Sequence, residues 1–317
     1  MTKSFKIFIV IAVMLCLVSV LFADNNHNKP YLRMGLGAKG MAMGGTGTAY
    51  MNNITATYWN PAGLSKIVDF ELGVAYTDGL GLDRSRSFAG VGVRYKFGYI
   101  ALSWLNSGVT DIAGYDDNGN ATGDYDVQDN NLNLSLASRL GKFHWGLTMK
   151  MLVDDMDDES KSGFSSDLGV MYDVNEYMTL GAMARNIYGE FDSDNIPVEL
   201  SLGVAVFPVR GLTLTGDFRK EEDADDSSIH LGAEYWTSIG TDSETGSGLS
   251  TMNREELTWE SMFANVQGGV RVGANDGEFT AGFGLRFSMI EMNYAFVKDE
   301  DNGINQDTHR YDMIFRF

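Results

Sequence analysis

The stretch Phe143-His144-Trp145-Gly146-Leu147-Thr148-Met149-Lys150-Met151-Leu152-Val153 decides the fold. Phe143, Trp145, Leu147, Met149, Met151 and Val153 fall on one face of an extended chain. His144, Gly146, Thr148 and Lys150 fall on the other, and Leu152 is the exception. The period is two, that of a β-strand with one apolar and one wet side, and not the 3.6 of a helix. The pattern recurs downstream. Val198, Leu200, Leu202, Val204 and Val206 alternate with Glu199, Ser201 and Gly203. Phe279, Ala281, Phe283, Leu285 and Phe287 alternate with Thr280, Gly282, Gly284 and Arg286. Ile290, Met292, Tyr294 and Phe296 alternate with Glu291, Asn293 and Ala295.

A soluble β-sandwich alternates too, so three further features are needed to choose. The strands run to ~9–11 residues, enough to cross a bilayer when tilted. The non-apolar face carries Gly, Ser, Thr, Asn and charges of both signs, as a wet or plugged lumen would. The connections alternate between tight and long. Strands are expected to begin near Asp69, Arg86, Tyr99, Gln128, Phe143, Gly163, Tyr177, Ile196, Gly211, Ser227, Phe263, Glu278, Met289 and Thr308. Tight turns fall at Phe97-Gly98, Gly141-Lys142, 173–176, 208–210 and Phe287-Ser288. Longer acidic connections fall at 111–127, 154–162, 188–195, 220–226 and 298–307. Short turns facing long loops are the signature of an outer-membrane barrel. The expected fold is therefore all-β: a transmembrane antiparallel barrel of about 14 strands. Two connections break the rule: 238–262 is long on the short-turn side, and 274–277 is short on the other. Residues 253–263 could form a short helix there.

Composition narrows the functions. The chain has 317 residues, a formal charge of −19, 44% hydrophobic and 12% aromatic residues, and one Cys. That is too apolar for a disordered acidic chain, and too acidic for a nucleic-acid binder, which needs clustered Lys and Arg. One Cys excludes an intramolecular disulfide framework and a Cys-rich zinc site. No cofactor and no resident metal site is expected.

Residues 1–23 read as a secretory signal peptide: Lys3 and Lys6, then an apolar run from Ile7 to Phe22, then Ala23. The run is short for a spanning helix. Processing after Ala23 would remove both lysines and leave no Cys. The acids of the long loops gather on one rim, where their simplest role is solvation. Asp116, Asp117 and Asn118 beside Gly119, and Asp299, Asp301 and Asn305 beside Gly303, offer hard oxygen ligands of the kind Ca²⁺ prefers, without the spacing of an EF-hand.

Residues 33–64 read RMGLGAKGMAMGGTGTAYMNNITATYWNPAGL. Gly35, Gly37 and Gly40 match a nucleotide-binding GxGxxG, but no strand precedes them, so a phosphate cradle is not expected. Gly44, Gly45 and Gly47 disfavour a stable helix and suit a segment folded back into a narrow lumen. Asn60 precedes Pro61 and is biased to an extended or turn conformation, with Trp59 and Leu64 as apolar anchors.

The two-part motif, Gly37-Ala38-Lys39-Gly40-Met41-Ala42-Met43-Gly44-Gly45 and Tyr58-Trp59-Asn60-Pro61-Ala62-Gly63-Leu64, closely resembles the start of mature PorV/PorQ-family outer-membrane proteins. These look like relatives of FadL, the long-chain fatty-acid transporter. The resemblance implies three regions: signal peptide 1–23, N-terminal hatch or plug 24–67 inside the lumen, and barrel 68–317. It carries over Asn60, Pro61 and Ala62 as hatch-turn residues, flanked by Trp59 and Gly63. Where relatives often have two Asp, this chain has Asn52 and Asn53, which would weaken any salt bridge to the wall. The terminal alternation Tyr311, Met313, Phe315, Phe317 resembles the signal read by the bacterial barrel-assembly machinery.

These features imply the outer membrane of a Gram-negative (diderm) bacterium, reached by the Sec route, with outer-membrane lipid, lipopolysaccharide and the assembly machinery as partners. FadL-type proteins pass hydrophobic molecules through a plugged barrel. PorV-type proteins take part in type IX secretion and receive secreted protein cargo. A hydrophobic ligand would need an apolar pocket at the hatch, with Met41, Met43 and Trp59 as candidate lining, although packing of the hatch itself accounts for these residues more simply. Two other readings stand beside passage. One is a structural anchor docking a periplasmic partner through 238–262. The other is an enzyme, which would need a nucleophile beside one of His27, His144, His230 or His309. The chain has no GxSxG or HExxH, and a lumenal His bonded to a wall group such as Glu234 is the expected arrangement. Lumenal charges (Glu71, Arg94, Arg139, Lys150, Glu199, Asp217, Arg271 and Arg286) could line a channel or pair across the wall and hold the hatch.

Overall fold

The computed structural model describes residues 30–78, 84–116, 118–156, 159–222, 224, 226–239, 266–298 and 307–317. The expected signal peptide, His27, Asp117, the 299–305 acids, nearly all of 238–262 and the 253–263 helix lie outside them.

The chain forms β1 (Phe70–Asp78), β2 (Arg84–Tyr95), β3 (Gly98–Tyr115), β4 (Ala121–Leu140), β5 (Phe143–Met156), β6 (Glu159–Asn175) and β7 (Met178–Arg185). After these come β8 (Glu190–Phe191), β9 (Asp194–Asn195), β10 (Glu199–Val206), β11 (Leu212–Glu221) and β12 (Ser227–Ser238). The last four are β13 (Gln267–Asn275), β14 (Glu278–Phe287), β15 (Ile290–Val297) and β16 (Thr308–Arg316). Fourteen of them close an antiparallel barrel, sealed where β1 pairs with β16 and β5 with β6. β8 and β9 stand outside the ring as a small hairpin, with β8 paired to β6 beyond the end of β7. Their Asp192-Ser193 turn has positive φ at both residues, the geometry a two-residue hairpin requires. The hairpin falls inside the 188–195 connection, where only a long loop is expected from the sequence.

Fourteen ring strands are found where the alternation places them, but four run longer than expected: β3, β4, β5 and β6 have 18, 20, 14 and 17 residues. Their pairing continues to Tyr115↔Ala121 and Met156↔Glu159, so most of 111–127 and 154–162 is strand and not loop. The expected strand start at Phe263 lies outside the described residues, and β13 is described from Gln267. Both irregular connections are real: β12 leaves for 28 residues' worth of numbering at the short-turn end, from Ser238 to Gln267, and β13 meets β14 through Asp276-Gly277 at the long-loop end. Asp276 and Gly277 both have positive φ, so this too is a tight hairpin.

Side-chain direction follows the pleat. Trp145, Met149 and Met151 are exposed on the outside of β5, while His144, Thr148 and Lys150 are buried inside. Leu72, Val74, Leu102, Leu132, Leu202, Leu214, Val270, Val272 and Phe283 continue an exposed apolar band around the ring. A band of that extent far exceeds the apolar patches of ordinary soluble surfaces. Leu152, the exception to the alternation, is buried in the lumen against Tyr31, Leu32, Phe191 and Ile196.

The lumen is filled by residues 30–67. They carry two short helices, α1 (Ala38–Ala42) and α2 (Ala56–Trp59), and 3₁₀ turns at 30–32 and 61–66. The main core lies between this segment and the wall, with Met51, Ile54, Trp59 and Leu64 against Phe88, Tyr99 and Leu105. The barrel seam closes at the chain end. Phe317 N donates to Phe70 O at 2.9 Å, and the two rings meet edge-on at 5.5 Å. Tyr311 and Phe317 are exposed outward, Met313 and Phe315 half-buried on the same face, and Arg310 and Asp312 buried inside.

Candidate functional site

The hatch sits where the wall lacks side chains. A Cβ on Gly273 would stand 2.2 Å from Gly44 N, and one on Gly232 would stand 2.5 Å from Met43 O. On the opposite wall, Gly181 faces Thr48 O at 2.2 Å, Gly146 faces Pro61 at 2.3 Å and Gly169 faces the Asn60 side chain at 1.9 Å. Gly282 is as close to Ala42, and Gly73 and Gly90 to Ile54. No real Cβ fits at such distances, so lumenal glycines on successive strands form a belt that seats the hatch backbone. The hatch answers with its own glycine. At Gly44 a Cβ would meet Leu231 O at 2.3 Å, and φ is +71°. Gly45, φ +79°, turns its carbonyl to the Arg219 guanidinium. Gly63 passes Met51 O with 2.1 Å for a Cβ.

Asn60 is the centre of the second motif half. Its backbone is extended, as a residue before Pro should be (φ −165°, ψ 108°). Its Oδ1 accepts from Ala62 N at 3.0 Å and so caps the turn that starts with Pro61. Its Nδ2 donates to Thr48 O (2.6 Å) in the hatch and to Val170 O (3.3 Å) and Ala182 O (3.4 Å) on β6 and β7. One amide thus joins both halves of the hatch to the wall. Trp59 lies beside it, sandwiched between Gly40 and Gly47, with Nε1 donating to Leu36 O at 3.0 Å.

The GxGxxG glycines hold no phosphate cradle. Gly37, φ +70°, opens the five-residue α1, and the wall carboxylate of Asp312 takes the donors at its start, Ala38 N at 2.6 Å and Lys39 N at 3.0 Å. Asp217 does the same for the next turn, accepting from Gly47 N (2.8 Å), Thr48 N (3.0 Å) and Thr48 Oγ1 (2.8 Å). Each carboxylate satisfies backbone donors that the lumen would otherwise bury without partners. Asn52 accepts from Lys39 Nζ at 3.1 Å, and Asn53 caps Thr55, so both stay within the hatch. Burial holds the Lys39 ammonium below its ordinary range, against the pull of Glu291 and Glu234.

Of the lumenal charges, Glu71, Lys150, Glu199, Asp217, Arg271 and Arg286 pair, while Arg94 and Arg139 are exposed and make no ion pair among the described residues. Along six adjacent strands at the short-turn end runs a ladder of charges, with acids on β1, β15 and β12 and arginines on β16, β14 and β13. Glu71 on β1 meets Arg316 on β16 (3.0 Å), which meets Glu291 on β15 (2.7 Å), which also takes Arg286 of β14 (2.8 Å). Arg271 of β13 lies 3.9 Å from Glu291 and 2.6 Å from Glu234 of β12. Both ends grip the hatch: Tyr50 OH donates to Glu234, and Ile54 N to Glu71. Trp236 lies flat over Gly269 and Gly284, with the guanidinium carbons of Arg271 and Arg286 at 5.1 and 4.4 Å from its ring. On the other side Lys150 pairs with Asp167 (2.6 Å) and Arg185 with Glu199 (2.5 Å). Arg94 donates to the carbonyls of Ser65, Ile67 and Val68, where the hatch passes into β1.

Both lumenal His bond wall groups, as expected, but the partner is not Glu234, which is taken by Tyr50 and Arg271. His230 bonds Ser228 (2.9 Å) and Gly44 O (2.9 Å). His144 stands between Ser65 Oγ (Nδ1, 2.7 Å) and Asp173 (Nε2, 2.9 Å). This has the membership of a hydrolytic triad, but Ser65 Oγ donates its one proton to Ala62 O at 2.6 Å, which ties the hydroxyl to the hatch backbone. Ser65 and His144 are both buried. Lys66 bonds the same Asp173 at 2.8 Å. The trio latches the end of the hatch to β5 and β6. His309 lies elsewhere, against the Tyr294 hydroxyl at 2.8 Å.

Above the hatch, at the long-loop end, is a cavity of about 430 Å³. Met34, Met41 and Trp59 form its floor, and Glu199, Arg219, Glu221, His230 and Arg310 stand in its wall. Met43 does not reach it; it is buried against Ala49, Tyr50 and Ala205. The lining is thus more polar than a pocket for hydrophobic ligands was expected to be. The Asp116 carboxylate closes its own loop, accepting from Asn118 N, Asn120 N and Asn120 Nδ2 at 2.8–2.9 Å. The Asn120 bonds hold it below the usual carboxylate range.

The fold is similar to that of several solved barrels. The Ralstonia pickettii toluene transporter TbuX matches with 14% identity and a TM-score of 0.58, over 89% of this chain and 98% of that one. The P. putida toluene transporter TodX matches with 12% identity and a TM-score of 0.57, over 89% and 99%. A Pseudomonas aeruginosa FadL homologue matches with 11% identity and a TM-score of 0.50, over 88% and 96%. At these identities the likeness establishes a FadL-like barrel fold and no substrate. No family model and no curated protein matches the chain.

Proposed function

We propose that this protein is a plugged outer-membrane barrel through which hydrophobic molecules enter a diderm cell. The carrying observation is the long-loop cavity, whose floor of Met34, Met41 and Trp59 is supplied by the hatch itself. Thioether and indole surfaces adapt to irregular apolar solutes. The exposed apolar band supports a lipid-facing outer wall, and the toluene transporters that share the fold support apolar cargo. Export by the Sec route with removal of residues 1–23, and recognition of Tyr311, Met313, Phe315 and Phe317 by the assembly machinery, belong to the same proposal.

Uptake of labelled toluene into proteoliposomes with a lipopolysaccharide outer leaflet tests it. The wild-type chain should exceed protein-free vesicles. Met41→Arg, which fills the cavity floor with a charge, should abolish the excess. Equal uptake with and without protein would sink the reading. A second reading, reception of secreted cargo at the long-loop rim, rests on the PorV/PorQ-like motif. Retention of a cargo C-terminal domain by the purified barrel tests that one.

A further inference from the structure

We propose that the short-turn rim of the barrel holds an anionic phospholipid, its headgroup seated in a basic cleft at the turn between β2 and β3. This rests on the membrane half of the reading above and concerns the opposite end of the barrel from the passage cavity.

A cleft of about 530 Å³ opens on that rim, lined by Arg94, Lys96 and Arg139 together with Tyr95, Phe97 and Ser138. Three cations and no acid line it, in a chain whose formal charge is −19. Arg94, Lys96 and Arg139 are exposed and make no ion pair among the described residues. Arg94 donates to the carbonyls of Ser65, Ile67 and Val68, which orient the guanidinium and leave its charge whole. Lys96 lies over the Phe97 ring, 5.4 Å from its centroid, and a ring face attracts a cation without neutralising it. Lys142 on the next turn adds a fourth cation, its ammonium donating to Val174 O at 2.7 Å. Against these stands Asp69, whose backbone O accepts from Arg94 N at 2.8 Å. The local balance stays positive, and paired guanidinium and ammonium groups suit a phosphate diester.

The cleft crosses the edge of the wall, and this decides between a lipid and a soluble anion. Arg94 and Arg139 take lumenal positions on β2 and β4, while their chain neighbours Tyr95 and Leu140 take outward ones. Val93, Tyr95, Phe97, Leu102 and Leu140 are exposed and belong to the apolar band of the outer wall. A Cβ on Gly98 would stand 2.1 Å from Ala137 O, so this position takes no side chain and the cleft stays open. A phosphate between Arg94 and Arg139 therefore sends its acyl chains over Tyr95 and Leu140 onto the lipid-facing side. Aromatic rings at the level of the headgroups are what such an interface favours. A free phosphate would use the cations and leave the apolar lip uncovered.

Native mass spectrometry of the full chain in mixed micelles reads the site, with dioleoylphosphatidylglycerol and dioleoylphosphatidylcholine as probes. The two lipids share their tails and differ in headgroup charge. One phosphatidylglycerol should bind about tenfold more tightly than phosphatidylcholine, since each Lys or Arg at an anionic lipid surface is worth about fivefold. Lys96→Gln combined with Arg139→Gln removes two exposed cations and should cut the preference to about twofold. Arg84→Gln combined with Lys161→Gln takes the same charge from the long-loop end and should leave the preference intact. Glycerophosphoglycerol, the same headgroup without tails, should fail to displace the lipid. Displacement by it would assign the cleft to soluble phosphates and overturn the proposal. A preference that survives Lys96→Gln/Arg139→Gln overturns it as well, and so does equal binding of the two lipids, which would point to an acidic periplasmic protein as the partner of this rim. In that last case the membrane reading stands, because both lipids bind. If the chain retains neither lipid and stays folded without detergent, the membrane reading falls too.

Discussion

Gly273 of β13 and Gly44 of the hatch touch backbone to backbone: a Cβ on Gly273 would stand 2.2 Å from the Gly44 nitrogen. The contact fixes how deep the plug sits and explains why this wall position carries no side chain. Gly273→Ala should therefore force hatch and wall apart and cost about 1–3 kcal/mol, as overpacking does. Limited proteolysis within residues 38–60 should rise and the melting temperature fall. Gly216→Ala, whose nearest neighbour is 3.5 Å away, should leave both unchanged.

Asn60→Ala removes one acceptor and three donor contacts from a buried turn. Leaving Thr48 O and Ala62 N unsatisfied should cost about 1–3 kcal/mol. Hydrogen exchange should speed up at residues 48–63 before it does in the strands. Asn60→Asp should be worse than Ala, because a carboxylate would face three carbonyl oxygens.

Glu291 is the hub of the charge ladder, within 3.9 Å of Arg271, Arg286 and Arg316. Breaking a buried pair from one side leaves uncompensated charge and costs about 3–5 kcal/mol. Arg286 and Arg316 are about one-third exposed, so water will offset part of this and the lower end is expected for Glu291→Gln. Adding Arg316→Gln should recover some of the loss. A double-mutant cycle of unfolding free energies reads that coupling directly.

Leu202→Arg places a charge on the outward face of β10. In lipid this should cost about 2–4 kcal/mol near the midplane, measured by urea unfolding into vesicles. Ser201→Ala, one residue away and inside, should cost less than half of that.

Much of this was legible in the sequence, and the limits have physical causes. Alternation assigns faces strand by strand, so Trp145 outward and His144 inward follow from period two alone. The short Asp276-Gly277 turn and the long connection after Ser238 were equally visible as departures from the rule. Partnerships across the lumen were not. Whether Arg271 meets Glu234 or Glu291 depends on the register between β12, β13 and β15, which no single strand reveals. A lumenal His bonded to a wall group is legible from the pleat, but that the group is Asp173 or Ser228, with Glu234 held by Tyr50 and Arg271, is not. The seat of the hatch did leave a signal. Gly146, Gly181, Gly203, Gly232, Gly273 and Gly282 all fall on lumenal positions of their strands, and that repetition marks where a second backbone comes close. Leu152 is the same lesson reversed: an apolar residue on the wet face marks the contact with Tyr31 and Phe191.

The most direct measurement is spin-label accessibility along β14 in lipid vesicles, one cysteine at a time at 279, 280, 281, 283 and 285. An outer wall in lipid gives high oxygen and low nickel-complex accessibility at Phe279, Ala281, Phe283 and Leu285, and a tightly immobilised label at Thr280, which faces the hatch. Nickel-complex accessibility at Phe283 equal to that of a water-exposed loop such as Asp116 would contradict the membrane barrel and everything built upon it.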